Sequence, residues 1–130
     1  MASPSQSPRS VERRFQRAIR VLRSNSNSTK LHPAIAELRA IADSGHAGAQ
    51  FELAVAYDLG TGVHRNRVRA LGWMLLAAGQ GDADAAIQVV LMAGGLRSDQ
   101  IGRAWDWSRR RGLSEAEVAA AFGCVRHDTA

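Results

Sequence analysis

The chain repeats itself at a spacing of 36 residues. The stretch AIAELRAIADSGHAGAQFELAVAY begins at Ala34, and ALGWMLLAAGQGDADAAIQVVLMA begins at Ala70. In that register Ala34 pairs with Ala70, Ile35 with Leu71, Leu38 with Met74, Ala42 with Ala78, Gly45 with Gly81 and Ala47 with Ala83. A block of this length is too short to bury an apolar face alone, so it must stack on copies of itself. The expected fold is therefore all-α: a short right-handed α-solenoid of antiparallel helix pairs with about seven helices.

The helical periods follow from the punctuation. Residues 1–9 are Ser- and Pro-rich and read as a disordered tail. From Ser10, a reasonable N-cap, Val11, Phe15, Ala18, Ile19 and Leu22 recur at helical spacing as far as Arg23. The run SNSNST at 24–29 breaks the pattern, and Pro33 suits the first turn of a helix over Ala34–Asp43. A nearly all-apolar helix follows over Ala47–Leu59, which requires neighbours on several sides. Gly60-Thr61-Gly62 turns the chain, Asn66 caps a helix to Ala78, and a further helix spans Ala83–Ala93. Ser98 is expected to cap the next, which ends in Arg109-Arg110-Arg111, charges that suit a helix carboxyl end. Ser114 and Glu117 form a capping box for a last helix through Phe122, and residues 123–130 are read as a fraying tail.

The segment ADSGHAGAQFELAVAYDLGTGVHRNRVRALGWMLLAAGQGDADAA resembles the Sel-one-like repeat, a relative of the tetratricopeptide repeat. The positions carrying the resemblance are Ala47, Ala49, Leu53 and Tyr57, then Gly60, Gly62, Val63 and Asn66, then Arg69, Ala70, Trp73, Ala77, Ala78 and Gly81. The chain departs from the pattern at Ala54, Met74 and Asn66, and it lacks the paired cysteines of the secreted members. The resemblance divides residues 10–122 into a degenerate leading repeat (10–45), a repeat (46–81), a shortened repeat (82–112) and a capping helix (114–122). It implies an adaptor, scaffold or regulator that presents a concave helical surface to another protein or peptide.

Charge and composition narrow the chemistry. Residues 1–30 hold Arg9, Arg13, Arg14, Arg17, Arg20, Arg23 and Lys30 against the single acid Glu12, whereas the rest of the chain is nearly neutral. Cys124 is the one cysteine, which excludes an intramolecular disulfide and fits a reducing, cytoplasmic setting. A Ser/Arg-rich, acid-poor start over residues 1–25 also suits an organelle transit peptide. Sixteen Arg against one Lys fits a GC-rich bacterial genome, an association rather than a structural argument. No run is long enough to span a membrane as a helix.

No catalytic set, cofactor site or metal site is expected. The glycines at 60 and 62 are not followed by the Lys-Ser/Thr of a phosphate loop, and no two histidines share a helix face at ligand spacing. Cys124 and His127 make a poor pair of ligands in a tail. The basic helix is the sharper feature: Arg13, Arg17 and Arg20 lie opposite Phe15, Ile19 and Leu22. That face fits an acidic partner protein, nucleic-acid phosphates, an anionic membrane surface, or the solvated end of a capped array. Gln50, Glu52, Asp58 and Gln88 are polar positions for a partner-binding face, and Trp105 is either a buried packing residue or a binding anchor.

Overall fold

The computed structural model describes residues 7–24, 28–117 and 119. Six helices of eleven or more residues run as α1 (Pro8–Arg23), α2 (Ser28–Asp43), α3 (Ala47–Leu59), α4 (Arg67–Gly79), α5 (Ala83–Ala93) and α6 (Ser98–Arg110). A seventh helical segment, α7, begins at residues 115–117, and the described residues contain no strand. Over the described residues the fold is all-α, with seven helices.

Several boundaries differ from the sequence reading. The first helix begins before Ser10, because Ser7 is the cap and its Oγ accepts from the Ser10 amide at 3.2 Å. Pro8 then fills the first turn, where its missing N–H costs nothing. Pro8 and Arg9 thus belong to a helix rather than to a tail. In α2 the helix begins at Ser28, inside the expected break, and Pro33 lies in its interior. Proline there forfeits one backbone bond, but Ala34, Ile35, Leu38, Ile41 and Ala42 are all buried, and that apolar face outweighs the loss. Ser98 is not the cap of α6; the cap residue is Arg97, whose amide donates to Gln100 Oε1 at 2.9 Å.

The central helices match their expected spans. Leu53, Ala54, Ala56 and Tyr57 of α3 are buried, and every residue from Ala70 to Ala78 in α4 is buried. Ala49, Ala70 and Ala77 are fully enclosed, so small side chains do line the closest helix contacts. Each of the first four helices packs on the next in chain order, and α4 also receives α6.

Within the residues read as a shortened repeat (82–112), the close approach of α6 is to α4 rather than to α5. Gly72 explains it. A Cβ at this position would lie 2.5 Å from Trp107 Cε3, so only glycine admits the indole. Beside it the Ser108 hydroxyl donates to the Gly72 carbonyl at 2.9 Å, and Trp73 meets Trp107 edge-on with centroids 5.0 Å apart. Beyond α6, Leu113 is buried near Gly79, and Ser114 and Glu117 exchange both bonds of a capping box. The expected continuation to Phe122 and the tail with Cys124 and His127 lie outside the described residues.

Candidate interaction surface

The basic residues of α1 divide into two groups with different surroundings. Those at the edge of its packed face are tied into the molecule: Arg14 to Glu37 on α2, and Arg23 to Glu52 on α3 at 3.5 Å. The Glu37 carboxylate bonded to Arg14 raises the guanidinium pKa above its ordinary value. Between them Ala18 and Ile19 are buried, while Val11, Phe15 and Leu22 pack partly buried on the core.

The outward group is different. Arg9, Arg13, Arg17 and Arg20 are all exposed, and with Glu12 and Gln16 they line one open surface. At 1.5 Å per residue the stripe is about 16 Å long. Among the described residues none of these four guanidinium groups forms an ion pair. The single carboxylate on the stripe is already engaged. Glu12 accepts from Gln16 Nε2 at 2.9 Å and from His46 Nε2 at 3.1 Å, and these two bonds hold its pKa below the ordinary value.

A groove of about 420 Å³ runs beside the stripe, between α1 and α2. Ala18, Val21, Pro33 and Ala34 give it an apolar floor, and Arg14, Arg17, Lys30 and Glu37 form its rim. Arg17 therefore belongs both to the stripe and to the groove.

The remaining sequence candidates do not join this surface as a set. Gln50 is not a surface position at all: it is 5% exposed, donates to the Ala42 carbonyl at 3.2 Å and accepts from Gln80 Nε2 at 2.7 Å. Its polarity satisfies a buried helix end, so it is a structural residue. Glu52 is half-buried and reaches α1 only through Arg23. Asp58 and Gln88 are half-buried, and the Asp58 main-chain carbonyl accepts from Arg65 Nε at 2.9 Å. Trp105 is half-buried and packs against the core.

An apolar face on α5 was not anticipated. Ile87 is 51% exposed and Leu91 65% exposed. The 36-residue register does carry a trace of it, since these positions correspond to Phe51 and Val55 on α3, themselves only half-buried.

Among the described residues no three His, Cys, Asp or Glu side chains gather as metal ligands. No helix of the described residues is long and apolar enough to cross a membrane. No protein-family model matches this chain, and neither a curated protein nor a solved structure gives a significant match.

Proposed function

We propose that this protein is a non-catalytic interaction module, built as a short array of Sel-one-like helical repeats, which binds an acidic partner protein through α1. The observation that carries the reading is the stripe of Arg9, Arg13, Arg17 and Arg20, left without carboxylate partners among the described residues while Arg14 and Arg23 beside it are ion-paired within the molecule. Guanidinium forks suit carboxylates in pairs of parallel hydrogen bonds. A preorganised helix displays them at little further cost in entropy.

The apolar groove favours a protein partner over nucleic acid. Phosphate backbones need cations alone, whereas a floor of Ala18, Val21, Pro33 and Ala34 accepts an apolar side chain. The partner expected here is an acidic amphipathic segment, with its carboxylates on the stripe and one apolar residue in the groove.

The test is fluorescence anisotropy on the full chain with two labelled probes: an acidic amphipathic peptide of about four helical turns and a duplex DNA oligonucleotide. The peptide is expected to bind at moderate salt and to lose at least about tenfold in affinity when Arg13, Arg17 and Arg20 are changed to Ala. DNA binding that exceeds peptide binding and collapses with salt would replace this reading with the nucleic-acid one.

A further inference from the structure

A second cationic site lies away from α1, and nothing in the proposed partner binding uses it. A cleft of about 790 Å³ opens between α2 and the turn that joins α3 to α4. It is lined by Arg39 from α2, by Arg65 from the turn and by Arg69 from the first turn of α4, with His32 and His64 at its edges. Among the described residues no aspartate or glutamate lines it. Among the described residues none of the three arginines forms an ion pair.

The chain brings these charges together by a specific backbone device. Gly62 sits at φ +73°, and a Cβ there would lie 2.9 Å from Ile35 Cγ1, so the turn can close onto α2 only with glycine at this position. Two of the guanidinium groups are then held in place by neutral oxygens. Arg39 Nη2 donates to the hydroxyl of the buried Tyr57 at 2.6 Å, and Arg65 Nε donates to the Asp58 carbonyl at 2.9 Å. Neutral acceptors orient a guanidinium without cancelling its charge. The remaining N–H groups of Arg39 and Arg65 are left for a ligand, and Arg69 adds a third fork where the positive end of the α4 dipole adds to the field.

We infer that this cleft binds a small molecule carrying a diphosphate group. Arginine forks match phosphoryl oxygens in geometry as well as in charge. One phosphomonoester brings about −1.5 to −2 charges, short of three guanidinium groups, and two linked phosphoryl groups close that gap. The recognition does not depend on a phosphate loop: the Gly60-Thr61-Gly62 turn positions arginines instead of offering its own amides, two of which are bonded to the Ala56 carbonyl.

Isothermal titration of the full chain with inorganic pyrophosphate tests this. Binding with a Kd below about 1 mM is expected, weakened about tenfold by Arg39→Ala and by Arg69→Ala and unchanged by the Arg13, Arg17 and Arg20 to Ala triple variant. In the unaltered protein, pyrophosphate should shift the Nε–H resonances of Arg39, Arg65 and Arg69, a readout that needs no variant to fold. A nucleoside diphosphate bound more tightly than pyrophosphate would support the inference and identify a nucleotide as the source. Tighter pyrophosphate binding would support it with the diphosphate alone as the recognised group. No binding at millimolar pyrophosphate, citrate bound as tightly as pyrophosphate, or loss of binding only in the α1 triple variant would each overturn it.

Discussion

At the scale of single residues, a few contacts between α4 and its neighbours have no slack. Gly72 faces the Trp107 ring so closely that an added methyl must displace it. Gly72→Ala is expected to destabilise the fold by about 1–3 kcal/mol, as overpacking does. Trp73 is 2% exposed and Ala70 fully buried, so Trp73→Ala should cost about 3–5 kcal/mol, and Ala70→Leu about 1–3 kcal/mol. Thermal and denaturant melts of the three variants check these values, and an unchanged midpoint for any one would contradict the packing described. Arg111 has contacts beyond the one its charge suggests. Its place at the C-cap of α6 suits the helix dipole. Its guanidinium also lies over Trp73 and Trp107, at 4.8 and 4.4 Å from their centroids, and Nη1 bonds Asp43 Oδ1 at 2.6 Å. Because both side chains of the pair are partly solvent-accessible, Arg111→Ala is expected to cost only about 1 kcal/mol. Arg111→Lys should recover only part of that, since an ammonium cannot stack as a plane.

At the scale of elements, the starts of α1, α3, α4 and α5 are set by side chains that accept the third amide of the helix. Asn66 does this for α4 and Asp82 for α5, the residue types that favour the role. For α3 the acceptor is His46, whose Nδ1 takes the Ala49 amide at 3.0 Å, so its Nε2 carries the proton donated to Glu12. A histidine at this position is not a recognisable cap in sequence. Its role follows from Phe15 packing tilted against the ring, with centroids 4.6 Å apart, and from Glu12 approaching from another helix. His46→Ala should cost about 1 kcal/mol through the lost cap and raise amide exchange in α1 more than in α4. Acid acts at the same junction. Glu12 has its folded pKa below the ordinary 4.5, so its contribution is complete above that value and is lost as pH falls through the lower folded one. Melting midpoints should therefore drop on acidification below about pH 4.5, and Glu12→Gln should blunt the part of that drop which belongs to α1.

At the scale of the whole molecule, α4 is the common wall on which α3, α5 and α6 rest, while α1 closes one side with its arginine stripe outward. Removing that stripe should leave folding nearly untouched. The Arg13, Arg17 and Arg20 to Ala variant is expected to change stability by no more than about 0.5 kcal/mol, measured by denaturant unfolding, because these side chains are exposed and unpaired. The sequence by itself determined the all-helical class, the spans of α3, α4 and α5 and the polarity of α1, because periodicity, glycine stops and local caps act within a few residues. The 36-residue echo also placed Ala70 in the core, opposite the buried Ala34, whereas Trp73 stands opposite Glu37 in that register and its burial does not follow from the echo. What only the tertiary structure decided depends on residues far apart in the chain: that Gln50 is buried against Gln80, that α6 rests on Gly72, and that Arg39, Arg65 and Arg69 converge on one cleft. Spacing along a chain sets which face of a helix a side chain occupies. Only the packing of helices sets what that face meets.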